Sequence, residues 1–254
     1  MATEALLAVT GLVKRYNGRA VVDQVSFEVR AGEIVGLLGR NGAGKTTSFR
    51  IAVGMIDHDD GQVFFDGECV TKLPMYKRAQ RGMGYLAQEP SVFQRLTVEQ
   101  NLIAILETLR ELNRKQRRET AAQLIEQFGL TAQAKQVART LSGGERRKLE
   151  IARALITSPK LILLDEPFSG VDPIAVQDLQ NEIMHLRRER GIAVLLTDHN
   201  VRETLAVTDR SYILVQGRIL ASGTPKELIQ NEVVRSEYLG STFRGDEFDH
   251  PSRK

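Results

Sequence analysis

The sequence predicts an α/β fold with a mixed-sheet core, an antiparallel β subdomain and a helical subdomain. Three observations predict it. A short apolar run, Ile34-Val35-Gly36-Leu37-Leu38, leads into the glycine loop Gly39-Arg40-Asn41-Gly42-Ala43-Gly44-Lys45-Thr46-Thr47 and then a helix-compatible segment. Beyond residue 157, apolar strand patterns alternate with helical ones, which calls for a mostly parallel sheet with crossovers. From residue 97 to about 136, apolar residues recur at three- and four-residue spacings, the period of helices that bury one face.

From the N-terminus, Leu6-Leu7-Ala8-Val9 is an apolar run and Val25-Ser26-Phe27-Glu28-Val29 alternates apolar and polar, both strand patterns. Lys14-Arg15-Tyr16-Asn17-Gly18 between them reads as a turn carrying one aromatic. Val63-Phe64-Phe65 followed by Asp66-Gly67 adds a strand and turn, so antiparallel β structure is expected on both sides of the glycine loop. The helix after that loop is expected over 47–55. Gly82-Met83-Gly84-Tyr85-Leu86 reads as a core strand running into the loop Ala87-Gln88-Glu89. Leu102, Ile105, Leu106 and Leu109, then Leu124, Ile125 and Phe128, mark helices. The basic run 113–118 is expected to be a solvated face or the connector between them. A helix is expected after Leu141-Ser142-Gly143-Gly144-Glu145, running to about 156, then a buried strand over 161–164 and a helix over 174–190. A buried strand over 192–196, a helix from Val201, a strand pair around 212–220 and a helix from Pro225 follow. The polar tail 244–254 is expected to be disordered.

Composition narrows the class. The chain has 254 residues, 35 basic and 32 acidic, a net charge of +3, too mild for nucleic acid as the main partner. Cys69 is the single cysteine; it excludes an internal disulfide and is expected to be a small packed hydrophobe. The first residues lack a basic segment and a long apolar core, so no signal peptide is expected. Unbroken apolar runs reach only about five residues, far below the ~18–20 that span a bilayer. A membrane role is therefore expected through partners alone, with the chain in the cytoplasm.

The glycine loop fits G-x-x-x-x-G-K-[ST], the spacing of a phosphate cradle between strand and helix. Gly39, Gly42 and Gly44 let backbone amides crowd an anion where side chains would block approach, and Asn41, Ala43 and Thr47 complete the loop. The helix beginning there aims its positive end at the same anion. Lys45 can reach the β- and γ-phosphates of a nucleoside triphosphate, and the Thr46 hydroxyl can ligate magnesium. Leu161-Ile162-Leu163-Leu164-Asp165-Glu166 is an apolar strand ending in two carboxylates, where α/β sheets bind ligands. Asp165 is placed to hold Mg2+ and Glu166 to orient or deprotonate the attacking water. Leu141-Ser142-Gly143-Gly144-Glu145 joins a hydroxyl, paired glycines and a helix N-terminus, a second phosphate-type device. With one glycine loop and no internal repeat, the chain reads as half of a two-site ATPase.

Together with Gln88, Ser169-Gly170-Val171-Asp172 and His199, these motifs occur in the order found in ATP-binding-cassette (ABC) ATPases, and residues 5–243 resemble that family. The resemblance implies one cassette domain, with a core built from about 5–95 and 157–243 and a helical part over about 97–156. It also implies a head-to-tail homodimer or heterodimer that binds ATP and Mg2+ between one subunit's glycine loop and the other's Ser142, Gly143 and Gly144. By the same resemblance Tyr16 would stack on adenine, and Gln88 would touch the metal and water. Asp172 would belong to the loop crossing the interface, and His199 would contact the γ-phosphate. Pro167-Phe168-Ser169-Gly170-Val171-Asp172-Pro173, Asp198-His199-Asn200-Val201-Arg202-Glu203-Thr204 and Tyr238-Leu239-Gly240-x-x-Phe243 are similar to the lipopolysaccharide-export subfamily, the LptB type. That likeness implies an ATPase on the cytoplasmic face of the inner membrane, driving two transmembrane subunits of the LptF and LptG types, with Phe93 in the groove that receives them. A branched-chain amino-acid-type importer ATPase is the nearest alternative, and a soluble non-transport ABC ATPase a more distant one. Arg40 stands where such loops often carry proline, and Ser48 and Ser169 also depart from common residues.

Overall fold

The computed structural model describes residues 5–89 and 91–240. Phe243 and the tail 244–254 lie outside the described residues. β1 (Ala5–Tyr16) and β2 (Arg19–Arg30) pair antiparallel through a two-residue turn, Asn17-Gly18, with both residues at positive φ. That is the twist-matched hairpin turn. β3 (Ile34–Gly39) is buried at every position, as a strand covered on both faces must be. It feeds α1 (Lys45–Val53), and β4 (Asp60–Phe65) and β5 (Glu68–Cys69) then complete an antiparallel sheet of order β2-β1-β4-β5.

α2 (Met75–Ala79) leads to β6 (Met83–Leu86). Three helices follow before the chain returns to the sheet: α3 (Val98–Leu106), α4 (Arg114–Gln127) and α5 (Gly143–Leu155). All three begin with a reciprocal capping box, at Thr97/Gln100, Asn113/Gln116 and Ser142/Glu145. β7 (Leu161–Asp165), α6 (Pro173–Arg190), β8 (Ala193–Asp198), α7 (Val201–Leu205), β9 (Arg210–Val215) and β10 (Arg218–Gly223) alternate in turn. α8 (Pro225–Gln230), α9 (Glu232–Val234) and a π-helical turn, Arg235–Leu239, end the described chain.

The second sheet has the order β10-β9-β3-β8-β7-β6, parallel except for β10. α1 lies between the two sheets: Phe49 and Ile51 pack with Leu7, Phe27 and Phe65 of the first and with Val35, Leu163 and Leu195 of the second. The other face of the second sheet, including Ile162 and Leu196, is covered by Leu102, Leu149 and Ile183 from α3, α5 and α6. The register Leu38↔Asp198 and Asp165↔Thr197 brings the C-terminal ends of β3, β7 and β8 side by side. Every sequence-derived catalytic candidate hangs from that edge or from the loop after β6.

The structure corrects two local expectations and decides between the alternatives of a third. Lys14-Arg15-Tyr16 is the end of β1 rather than part of a turn, because the Asn17-Gly18 pair alone makes the reversal. Of the two readings of the basic run, the solvated face holds: Asn113 accepts the Lys115 and Gln116 N–H groups and starts α4, with Arg114, Lys115 and Arg118 exposed and Arg117 partly buried against the Leu109 carbonyl. Cys69 is exposed rather than packed, since its two-residue strand sits at the sheet edge.

Candidate functional site

The loop after β3 can only be glycine-rich. Gly44 opens α1 at φ 99°, and a Cβ there would stand 2.5 Å from the Val21 carbonyl oxygen. A Cβ on Gly39 would come within 2.4 Å of the Leu214 carbonyl oxygen. The freed space becomes an open cavity of about 570 Å3, lined by Asn41 to Thr47, Val21, Gln88, Glu166, Ser169 and His199. Five stretches of the chain thus meet around one void.

Lys45 is buried and donates from Nζ to the Gly39 carbonyl at 2.6 Å and the Arg40 carbonyl at 3.2 Å. Burial lowers its pKa from the ordinary lysine value, opposed by the nearby charges of Glu166, Asp198 and Asp165. A further anion in the cavity would supply the charge partner that backbone carbonyls replace only in part.

Asp165 ends β7 and is buried. The Thr197 hydroxyl donates to its Oδ1 at 2.8 Å, while Oδ2 is buried without a hydrogen-bond partner. An orphaned buried carboxylate oxygen beside a phosphate cradle suits a divalent cation, and the Thr46 hydroxyl and Gln88 amide oxygen are further hard oxygen donors. Glu166 follows at φ 45°, a left-handed conformation unusual for a residue with a Cβ, fixed by its N–H bonding the Thr197 carbonyl at 2.8 Å. That turn points its carboxylate into the cavity. Oε2 accepts the Gln88 side-chain N–H at 2.9 Å and lies 3.5 Å from His199 Nδ1.

Several positioning groups are not apparent from local sequence. Asp198 is buried, accepts the Phe168 N–H at 3.0 Å and the Asn200 N–H at 2.9 Å, and so fixes the segments carrying Ser169 and His199. The loop holding Gln88 is clasped to α5. Arg147 donates to the Ala87 carbonyl at 3.0 Å, Glu150 accepts the Ser91 N–H at 2.6 Å, and Arg153 donates to the Ser91 carbonyl at 2.6 Å. Arg78 is buried and has no carboxylate partner among the described residues. Its guanidinium caps the end of α1 by donating to the Ile51 and Ala52 carbonyls at 2.9 and 2.7 Å, and it also bonds Thr71 and Leu73. Burial pushes its pKa down to about 10. Asp198 alone carries a local sequence signal, a charge ending an apolar run; Arg78, Arg147, Glu150 and Arg153 sit among other charged residues and stand out in no way.

The remaining candidates lie outside the cavity. Ser142 caps α5 by accepting the Glu145 N–H at 3.3 Å, and Ser142 and Gly143 are exposed. Asp172 caps α6 through the Ala175 N–H at 3.0 Å and is also exposed. Tyr16 and Phe93 are roughly half exposed, at 47% and 44%, and the Arg153 guanidinium stacks 4.5 Å from the centroid of Phe93. That exposure rules out core packing for Phe93. One chain therefore assembles a phosphate cradle, a buried acid and a carboxylate–amide–imidazole cluster, while its second phosphate-type stretch does not line the glycine-loop cavity: Gly143 instead borders an adjoining cavity that shares Gln88, Glu166 and Ser169.

Residues 22–169 match the family described as ABC transporter. Over 240 residues the chain is 53% identical to the lipopolysaccharide export system ATP-binding protein LptB of Haemophilus influenzae, spanning 94% of this chain and 99% of that protein. It is 52% identical, with the same coverage, to LptB of Escherichia coli K12. Its fold superposes on an ATP-binding cassette of an ABC transporter in its ADP conformation, with a TM-score of 0.83 at 28% identity, covering 94% and 100% of the two chains.

Proposed function

This chain belongs to the ABC transporter family as an ATP-hydrolysing subunit, and we propose that it powers export of lipopolysaccharide from the inner membrane. Near-complete coverage at 53% identity to a lipopolysaccharide-export subunit is the observation that carries the cargo. Among the described residues no helix is long and apolar enough to cross a membrane. In this reading the chain therefore acts from the cytoplasmic face through two membrane subunits of the LptF and LptG types, docked near Gln88 and Phe93. One cassette over 5–243, with its helical part at about 97–156, remains our reading of the domain organisation.

The site residues then take these roles. Backbone amides of Gly42 to Thr47 and the Lys45 ammonium grip the β- and γ-phosphates, and Tyr16 stacks on adenine. Thr46, Gln88 and Asp165 hold Mg2+, which when bound neutralises charge on the phosphate oxygens. Glu166 accepts the proton of the attacking water, with Gln88 and His199 holding its carboxylate and the water in line. Water is excluded and the γ-phosphate fully surrounded only when Ser142, Gly143 and Gly144 of a second subunit close over it, with Asp172 alongside. The cluster around Glu166 supports the chemistry, and the absence of Ser142, Gly143 and Gly144 from the lining of the chain's own glycine-loop cavity supports the two-subunit site.

The cargo is tested by co-expressing the chain with candidate membrane subunits and measuring ATP-dependent release of lipopolysaccharide from proteoliposomes. Release that needs both ATP and this chain is expected. Assembly with importer subunits instead, or ATP turnover without release, would overturn the reading.

A further inference from the structure

Ile174 is 80% exposed, more than any other large apolar side chain among the described residues. It lies in the first turn of α6, two residues beyond the Asp172 cap. The core-facing side of α6 carries Val176, Leu179, Ile183 and Leu186. At about 100° per residue, Ile174 projects from the opposite side. Nothing in the packing of one chain uses it.

Its neighbourhood is specific. A Cβ on Gly144 would stand 3.0 Å from the Ala175 Cβ, so the first turn of α6 touches the first turn of α5. Ile174 therefore stands beside Ser142-Gly143-Gly144, the stretch that the chain's own nucleotide cavity does not include. An exposed isoleucine adjoining the exposed Ser142 and Gly143 sets an apolar side chain beside polar groups, the composition of a patch that a partner covers at an interface.

The geometry points to Ile174 as an apolar anchor of the closed pair, buried by the nucleotide-loop side of a second copy of this chain. The inference rests on the two-subunit reading of the site and adds a contact that touches no nucleotide. The rest of that junction is phosphate, hydroxyl, carboxylate and glycine, which give direction but little apolar burial. Ile174 supplies non-directional burial at the rim and helps keep water from the junction. Two-fold symmetry makes the contact occur twice. Pairing strength and nucleotide affinity of the single chain are thereby separable.

The test uses the full chain carrying Glu166→Gln, with Mg-ATP, in sedimentation velocity over a range of protein concentrations. Adding Ile174→Ser is expected to raise the Kd of pairing about 100-fold, roughly tenfold for each of two lost contacts. Ile174→Val should pair within about threefold of the parent, and ATP affinity of the dispersed chain should be unchanged in both. Equal pairing by the serine variant, or a loss of ATP affinity as large as the loss of pairing, would overturn the inference. If the Glu166→Gln parent itself stays monomeric at every ATP concentration, the two-subunit reading fails first and takes the anchor with it.

Discussion

Replacing Glu166 with glutamine removes a proton acceptor while preserving shape. The parent Oε2 accepts the Gln88 N–H at 2.9 Å and stands 3.5 Å from His199 Nδ1. A glutamine amide oxygen can take the same place, and the left-handed backbone at φ 45° is equally strained for both residues. The stability cost is therefore that of weakening one side-chain hydrogen bond, about 1 kcal/mol, or a fall of about 2–4 °C in Tm for a chain of this size. Loss of a positioned general base is worth about 10²–10⁴-fold in rate, or about 3–5 kcal/mol of barrier. Phosphate release at saturating ATP, equilibrium ATP binding and a thermal melt separate these effects. Turnover should fall by about two to four orders of magnitude while ATP affinity stays within about threefold. A folded variant with normal turnover would place the base elsewhere. A fall in affinity matching the fall in rate would make Glu166 a binding group instead.

Three further outcomes follow from the same geometry. Thr197→Val strips the 2.8 Å donor from Asp165 Oδ1, leaving the buried carboxylate only its weaker interaction with the Tyr85 hydroxyl. It should cost about 1–3 kcal/mol and raise the Mg2+ concentration that half-saturates turnover, and an unchanged Mg2+ titration would contradict the role given to Asp165. Arg78→Met leaves the Ile51, Ala52, Thr71 and Leu73 carbonyls without that donor and should lower stability by about 2–4 kcal/mol in urea unfolding, with under about 1 kcal/mol refuting the cap. Burial pushes the Tyr238 phenol up to about 12 from an ordinary value of 10.0. The folded chain then keeps a proton that the unfolded chain loses, so this contribution is intact below pH 10 and is lost as pH rises toward 12. Across that window Tyr238→Phe should lose about 2–3 kcal/mol less stability than the parent, and parallel curves would argue against a buried phenol.

What sequence reasoning recovered is what chemistry confines to a few adjacent residues. The glycine loop must be contiguous because one anion sits on consecutive amides, and Leu161-Ile162-Leu163-Leu164-Asp165-Glu166 carries both its burial and its carboxylates in six letters. The hairpin signal Asn17-Gly18 was equally local but was read as one turn with its basic neighbours. The same two-residue pattern with both φ values positive recurs at Asp66-Gly67 and Gln216-Gly217. Groups acting across the fold were not readable. Thr197 reaches Asp165 through strand register, Arg78 reaches α1 across 26 residues, and Arg147, Glu150 and Arg153 bind the Gln88 loop from about 60 positions away. The left-handed φ of Glu166 arises from its bond to Thr197 and leaves no trace in composition. At Arg114, Arg117 and Arg118 charge density showed the solvated face but not the Asn113 cap that makes it a helix start.

The central claim is that each ATP site is shared between two chains, and mixing two dead variants tests it directly. Lys45→Ala removes the phosphate grip of a subunit's own loop, and Ser142→Arg blocks the stretch it would offer its partner. Each variant alone breaks both sites of its dimer, but a mixed dimer pairs an intact loop with an intact stretch once. Random mixing should restore about a quarter of the composite sites, giving ATP hydrolysis well above either parent. If the mixture hydrolyses no faster than the two dead parents separately, loop and stretch serve the same chain and the shared-site account is wrong.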